Sequence, residues 1–189
     1  MGRPKASLPF GPEVLLQRVV RVLSTVVSPI VVVAAQGQNI PELPPEVLIA
    51  RDEHEALGPL AGLVAGLRAL PKSVEAVYAS AVDAPLLRPE FVREVVRRLQ
   101  QHEIAIPRDG KYHHPLAAVY RRSVEPKIRE LIAAERLRPF FLLESCEVCE
   151  IDVEELRTVD PELESLRNTN TPEDYRAALT AAGFEMEAE

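Results

Sequence analysis

The sequence predicts an α/β sandwich with a mixed sheet, and three observations carry that reading. Ile30–Ala35 and the run through Val77, Tyr78 and Ala79 are apolar and β-favouring, with almost no polar interruption. Strands buried on both faces of a parallel sheet have this pattern. Between such runs, apolar residues recur at helical spacing, and strands that alternate with helices pack as layers. Finally, Asp109-Gly110 stands between EIAIP and KYHHPLAAVY. That dipeptide is a two-residue hairpin signal, so part of the sheet pairs antiparallel.

Taken in order, MGRPKASLPFGPEV is polar and punctuated by Gly and Pro, and Lys5 is the only lysine before Lys72. Leu15, Leu16, Val19, Val20 and Leu23 mark an amphipathic helix. Ile30–Ala35 is the first buried strand and Val47–Ala50 the second, with a proline-rich connection between them. Arg51, Asp52, Glu53, His54 and Glu55 form a charged loop after the second strand. Pro59 suits a helix start, and Leu60, Leu63, Val64 and Leu67 give that helix its apolar stripe. Gly62 and Gly66 cost the helix roughly 1 kcal/mol each, which implies a close neighbour, most simply the sheet. The next strand runs from Val74 into Asp83, where Pro85 pushes Ala84 out of the helical region. Arg88, Pro89 and Glu90 open another helix, buried through Phe91, Val92 and Val95. After the hairpin, Ser123 is placed as the cap of a helix that buries Ile128 and Leu131. RPFFLLES reads as a short helix and VCEIDV as a late strand. In NTNTPEDY, Thr171, Pro172 and Asp174 form a capping-box-like start to the last helix.

At 189 residues, with 47% hydrophobic and 27% charged residues, the chain is most simply one ordinary globular domain over residues 1–189. Its formal net charge of −7 argues against a nucleic-acid surface, so an anionic ligand must be held by local groups. No apolar run approaches the roughly 20 residues of a membrane span. No signal-peptide pattern opens the chain, and 2 Cys make a reducing cytoplasm the expected setting. Cys146 and Cys149 form a CxxC without further zinc-ligand spacing around it, and ordinary thiols are the favoured reading. His113 and His114 are expected on opposite faces of a hairpin strand rather than at a metal.

Asp83 is a carboxylate placed where a buried strand hands over to a helix, on the sheet edge where α/β folds bind ligands. Facing a phosphate-bearing ligand, it would be a natural anchor for Mg²⁺, which takes one or two carboxylates plus phosphate oxygens. For a single Asp, a simple turn cap is the competing reading.

Five separated segments resemble one family, the molybdenum cofactor guanylyltransferases among the Rossmann-like nucleotidyltransferases. MGRPKASLPFG is similar to the second half of the loop LAGGxSxRMGxxKxLL, RDEHEALGPLAG to the Asp-then-GPLAG segment, and ASAVDAPLL to the metal-binding strand end. HPLAAVY and NTNTPEDY are similar to the later, substrate-side segments. The resemblance implies a three-layer Rossmann-like sandwich with a mostly parallel mixed sheet, here without the usual first strand. It implies that Lys5, with Gly2 and Arg3, faces the nucleotide phosphates, that Asp52 and Gly58 contact the nucleotide, and that Asp83 holds Mg²⁺. His114, Asn168 and Asn170 then face the second substrate, although for the asparagines a hydrogen-bonded turn is an equal reading. Transfer of GMP from GTP to molybdopterin follows as the expected reaction, with transient contacts to other cofactor-biosynthesis or molybdoenzyme-maturation proteins.

The departures shape the alternatives. Val82 replaces the usual Cys, and Ala34 stands where some members carry a nucleotide-contacting Asn, so transfer of CMP to the same cofactor stays open. The glycines of LAGGxSxR have no counterpart here, so weak GTP binding and little turnover are expected of residues 1–189. A non-catalytic homologue is the reading from another class. Loss of a central strand is also expected to expose the strand edges beside it.

Overall fold

The computed structural model describes residues 4–52 and 58–184. Gly2, Arg3, Glu53, His54 and Glu55 lie outside the described residues.

Nine strands and seven helices are described. β1 (Pro9–Phe10) and β2 (Glu13–Val14) form a small antiparallel hairpin within the opening segment. α1 (Leu15–Ser24) leads to β3 (Val31–Ala35), which pairs parallel with β4 (Leu48–Asp52). α2 (Pro59–Ala69) crosses to β5 (Ala76–Ser80), and α3 (Pro89–Arg98) follows. Next come β6 (Ile104–Asp109), β7 (Tyr112–His113), β8 (Ala117–Arg121), α4 (Glu125–Ala133), α5 (Pro139–Leu143) and β9 (Val148–Asp152). α6 (Val153–Leu156) and α7 (Pro172–Ala181) complete the chain.

The α/β class and its three layers are those expected. The core alternates faces as period-2 strands require. Ala117 and Val119 of β8 pack on α1 and α3, while Ala118 and Tyr120 pack on α2 and α4. Pairing in the larger sheet is mostly antiparallel, unlike the mostly parallel expectation. The reason is β8, the return strand of the hairpin, which lies between β5 and β6 and opposes both. β9 restores parallel pairing on β6. β3 and β4 form a separate ladder, and no described strand stands between β3 and β5.

Local boundaries differ in three places. β4 runs on to Asp52, so that acid ends a strand rather than sitting in a loop. Ser123 does not cap α4: it lies inside a 3₁₀ turn, Arg122–Val124, and Val124 takes the cap position without a side-chain bond. The opening segment, read as a punctuated loop, is pinned by Phe10, which is fully buried among Leu8, Leu15 and Leu179. Gly11 makes that hairpin turn at φ +64°, and a β-carbon there would fall 2.4 Å from the Phe184 ring. The close neighbour inferred from Gly62 and Gly66 is the sheet: a β-carbon on Gly66 would meet Val33 at 3.3 Å.

Arg122 fixes the crossover. Its guanidinium donates to the carbonyls of Leu67, Val74 and Pro71 at 2.8 Å each, and to that of Leu70 at 3.3 Å. These are carbonyls at the end of α2 and on the approach to β5, which lack helical partners. Hydrogen bonds from a charged donor contribute about 1.5–3 kcal/mol, so Arg122→Ala is expected to lower the unfolding free energy by at least about 2 kcal/mol. Arg122→Lys should recover only part of this, because an ammonium cannot span the same fork. Urea unfolding of the three proteins measures both effects.

Candidate active site

Three distant segments meet at the end of β5. Asp83 follows that strand by three residues, and its side chain is only 14% exposed. The Lys5 ammonium donates to the Asp83 carboxylate at 2.6 Å and to Asn170 Oδ1 at 2.7 Å. Lys5 stands in a 3₁₀ turn, Lys5–Ser7, whose Ala6 is buried. Hence Lys5, Asp83 and Asn170, brought from three separate motifs, form one charged cluster.

The asparagine loop is locked from both sides. The Thr169 amide and hydroxyl both donate to the Asp83 carbonyl, at 2.8 and 3.3 Å. Downstream, the amides of Asn170 and Thr171 donate to Asp174, whose own amide donates to the Thr171 hydroxyl at 3.1 Å. This is the anticipated capping box, and the backbone amide of Thr171 leads the causes that hold the Asp174 carboxyl below its ordinary range. Upstream, Asp160 is fully buried and accepts from the amides of Glu164 and Ser165 at 3.1 and 2.8 Å. The Ser165 hydroxyl in turn accepts from the Arg88 amide at 3.0 Å. Asp160 and Thr169 were not singled out from the sequence. The Asp-Pro pair at 160–161 is a turn signal, but nothing local to it announces a partner on Arg88.

The remaining expected residues fall around this cluster. Asp52 and Asp83 line the same cavity, one from the end of β4 and the other from beyond β5. Gly58 is the N-cap of α2 at φ +70°, a conformation that favours glycine. Asn168 is exposed, one residue before the buried Thr169. His114 does not join the cluster: among the described residues it makes no hydrogen bond or ion pair with Lys5, Asp83 or Asn170. Its amide donates to Pro107 at 3.0 Å, and the adjoining Pro115 and Leu116 line the cavity. His113 instead pairs with Glu150 at 2.7 Å. Cys146 and Cys149 are free thiols, and no cluster of three or more His, Cys, Asp or Glu able to hold a metal is found among the described residues.

With this geometry established, known proteins give it a context. The sequence pattern of the MobA-like NTP transferase domain matches residues 1–147. The chain belongs to this family. Over 186 residues it is 36% identical to the probable molybdenum cofactor guanylyltransferase of Mycobacterium avium (strain 104), covering 96% of this chain and 89% of that one. The protein of the same description from Mycobacterium tuberculosis (strain H37Rv) is 35% identical over 184 residues, covering 95% and 87%. Among solved structures, the molybdopterin-guanine dinucleotide biosynthesis protein A of Archaeoglobus fulgidus superposes with a TM-score of 0.79 at 24% identity, covering 96% of this chain and 92% of that one. The 2-C-methyl-D-erythritol 4-phosphate cytidylyltransferase of Thermus thermophilus superposes at 0.71 with 15% identity, covering 95% and 94%. These two likenesses show the fold. As a MobA-like NTP transferase domain, the chain carries its Lys5–Asp83 pair on the sheet edge where nucleotide ligands bind in such folds.

Burial lowers the pKa of His114, partly offset by the nearby Asp109. The ring is therefore neutral at pH 7. As the pH falls below about 6.5, the unfolded chain takes up the proton first, so stability decreases through that range. An NMR titration should find His114 below ordinary histidine values, and His114→Gln should flatten the stability slope just under pH 6.5.

Proposed function

We propose that this chain is a Mg²⁺-dependent guanylyltransferase that moves GMP from GTP to molybdopterin. The observation that carries the reading is the Lys5–Asp83–Asn170 cluster, formed by three motifs that arrive from far apart in the chain. The names of the relatives at 35–36% identity support the substrates. In the reaction, a phosphate oxygen of molybdopterin forms a bond to the α-phosphorus of GTP while the bond to pyrophosphate breaks. No covalent enzyme intermediate is needed, so positioning and charge neutralisation supply the catalysis.

The Lys5 ammonium has three N–H donors, so once it turns from Asp83 one can stay on Asn170 and two can reach phosphate oxygens. Its compact ammonium suits the charge that develops on the departing pyrophosphate. Asp83 fits Mg²⁺ as a single carboxylate on a phosphate-facing edge, the remaining ligands coming from phosphates and water. The bound ion would neutralise the triphosphate and orient its α-phosphorus. Asp52 and Gly58 hold the nucleotide across the cavity, and Gly2 and Arg3 are assigned to its phosphates by their motif alone. Asn168, Asn170 and the neutral His114 serve the pterin side. Two free thiols accord with a cytoplasmic setting, where thiols stay reduced.

Asp83→Asn keeps the shape and removes the charge. It is expected to abolish Mg²⁺-supported transfer while leaving the circular dichroism spectrum unchanged; activity within a few-fold of the parent would remove Asp83 from its role. Transfer of CMP remains the second reading because Ala34 offers no side-chain amide to a base. Competition of GTP against CTP, in a form that binds nucleotide, decides between them. Guanine should win, and preference for CTP would reassign the base.

A further inference from the structure

Asp83 Oδ2 and Asn170 Oδ1 reach one point from two distant segments. The Lys5 ammonium stands at that point, 2.6 Å from the first oxygen and 2.7 Å from the second. A carboxylate oxygen and an amide oxygen are hard acceptors that suit a divalent cation as well as an ammonium. The backbone holds both in place. The Thr169 amide donates to the Asp83 carbonyl at 2.8 Å, and the Asn170 amide donates to the Asp174 carboxylate at 3.2 Å. The Asp83 side chain is 14% exposed, against 35% for Lys5. On its flexible four-carbon stem, the lysine is the mobile member beside a fixed pair of oxygens. Among the described residues, no other cation forms an ion pair with Asp83.

We infer that Lys5 is a placeholder for the metal: in the nucleotide-free protein, its ammonium competes with a divalent cation for Asp83. This rests on the proposed role of Asp83 as the Mg²⁺ ligand. The reason is electrostatic. The ammonium already neutralises the carboxylate that would attract a cation. Both carboxylate oxygens belong to one small group, so a cation on either one meets the positive charge of Lys5 at close range. A free ion must therefore displace an ammonium that has no better partner. A triphosphate supplies one, because its oxygens accept the released N–H donors while Asn170 retains another. Metal and nucleotide then favour the same arrangement, with Lys5 turned from Asp83 toward the phosphates. By linkage, each raises the affinity of the protein for the other by the same factor. The ion pair in this way reserves Asp83 for an ion that arrives with a nucleotide.

Binding of Mn²⁺ to residues 1–189 without nucleotide, followed by the electron paramagnetic resonance of the free ion, tests the competition. The parent should bind weakly. Lys5→Met keeps most of the side-chain length and removes the charge, and it should bind about tenfold more tightly or better. Lys5→Arg keeps the charge and should stay near the parent. Adding Asp83→Asn to Lys5→Met should abolish binding. A second readout needs no variant and so does not depend on how the variants fold. Acylation of the Lys5 amine relative to Lys72, read by mass spectrometry, should become several-fold faster at saturating Mn²⁺. Unchanged labelling would overturn the inference. Equal Mn²⁺ affinities in the parent and Lys5→Met, with Asp83→Asn still abolishing binding, would overturn it too and leave Asp83 as the metal ligand. So would tight binding by Lys5→Arg, since charge would then not be the cause. Mn²⁺ binding that ignores Asp83 in every background would remove the proposed metal role itself, and the inference with it.

Discussion

The ammonium of Lys5 between Asp83 and Asn170 is the contact on which the arrangement of this molecule turns. It joins residues 78 and 165 positions apart, so it forms only when the chain's beginning, its middle and its end have all docked. None of the three groups could hold this geometry by itself. A lysine brings rotamer freedom, and a carboxylate with 14% exposure has given up most of its hydration. The surrounding structure supplies the order. Phe10 anchors the segment of Lys5 against α7 and Phe184, its ring 5.5 Å from the Phe184 ring. Thr169 fastens the asparagine loop to the Asp83 carbonyl, and the buried Asp160 fastens the approach to that loop. The electrostatic pair is thus the last link of a hydrophobic and hydrogen-bonded frame.

That frame explains which parts were legible in the sequence. Strands and helices with a strong period, such as β3, β5, α3 and α7, announce themselves through burial on one or both faces. The Asp83 position was legible for the same reason, because an apolar run that stops at Asp and Pro must end a strand. The capping box of α7 is a purely local pattern, and it reads directly. What stayed hidden was set by distant partners. β8 reads as the return arm of a hairpin, but its insertion between β5 and β6 depends on the packing of Ala118 and Tyr120 against α2 and α4. β1 and β2 are two residues each, too short for any period, and they exist because Phe10 has a pocket built by the other end of the chain. Thr169 carries no motif role in the sequence, yet it is the buried member between Asn168 and Asn170. His114 is fixed by the hairpin: its amide donates to the Pro107 carbonyl, a partner its motif does not announce.

The two ladders are held together by helices rather than by strand pairing. α2 packs on β3 through Gly66, where the missing side chain lets Val33 approach, and its far end is clamped to β5 by Arg122. α1 and α3 cover the opposite face through Val19, Leu23 and Val95. This division matters for the site, because its two acidic groups belong to different ladders. Asp83 is fixed to β5, to Lys5 and to the asparagine loop. Asp52 ends β4, in register with Ala35 of β3. The separation between them is therefore set by the packing of these helices, and not by a direct hydrogen-bonded ladder.

In the proposed reaction, a nucleotide reaching from Asp52 to Asp83 would have to match that separation. In a continuous sheet, strand spacing is fixed near 4.8 Å per step, and the two carboxylates would be held at a set distance before any ligand arrives. Between two separate ladders, the helices alone set the distance, and side-chain packing yields more readily than a ladder of backbone bonds. Ligand binding would then have to supply the ordering that the sheet otherwise provides, and that ordering subtracts from affinity. Under the proposed function, preorganisation of the nucleotide site therefore depends on how firmly the helices hold the two ladders together. The Lys5 cluster gains its own order through α7 and the Thr169 bond, independently of the distance between the ladders, which is why the charged centre is formed even where the sheet is not continuous.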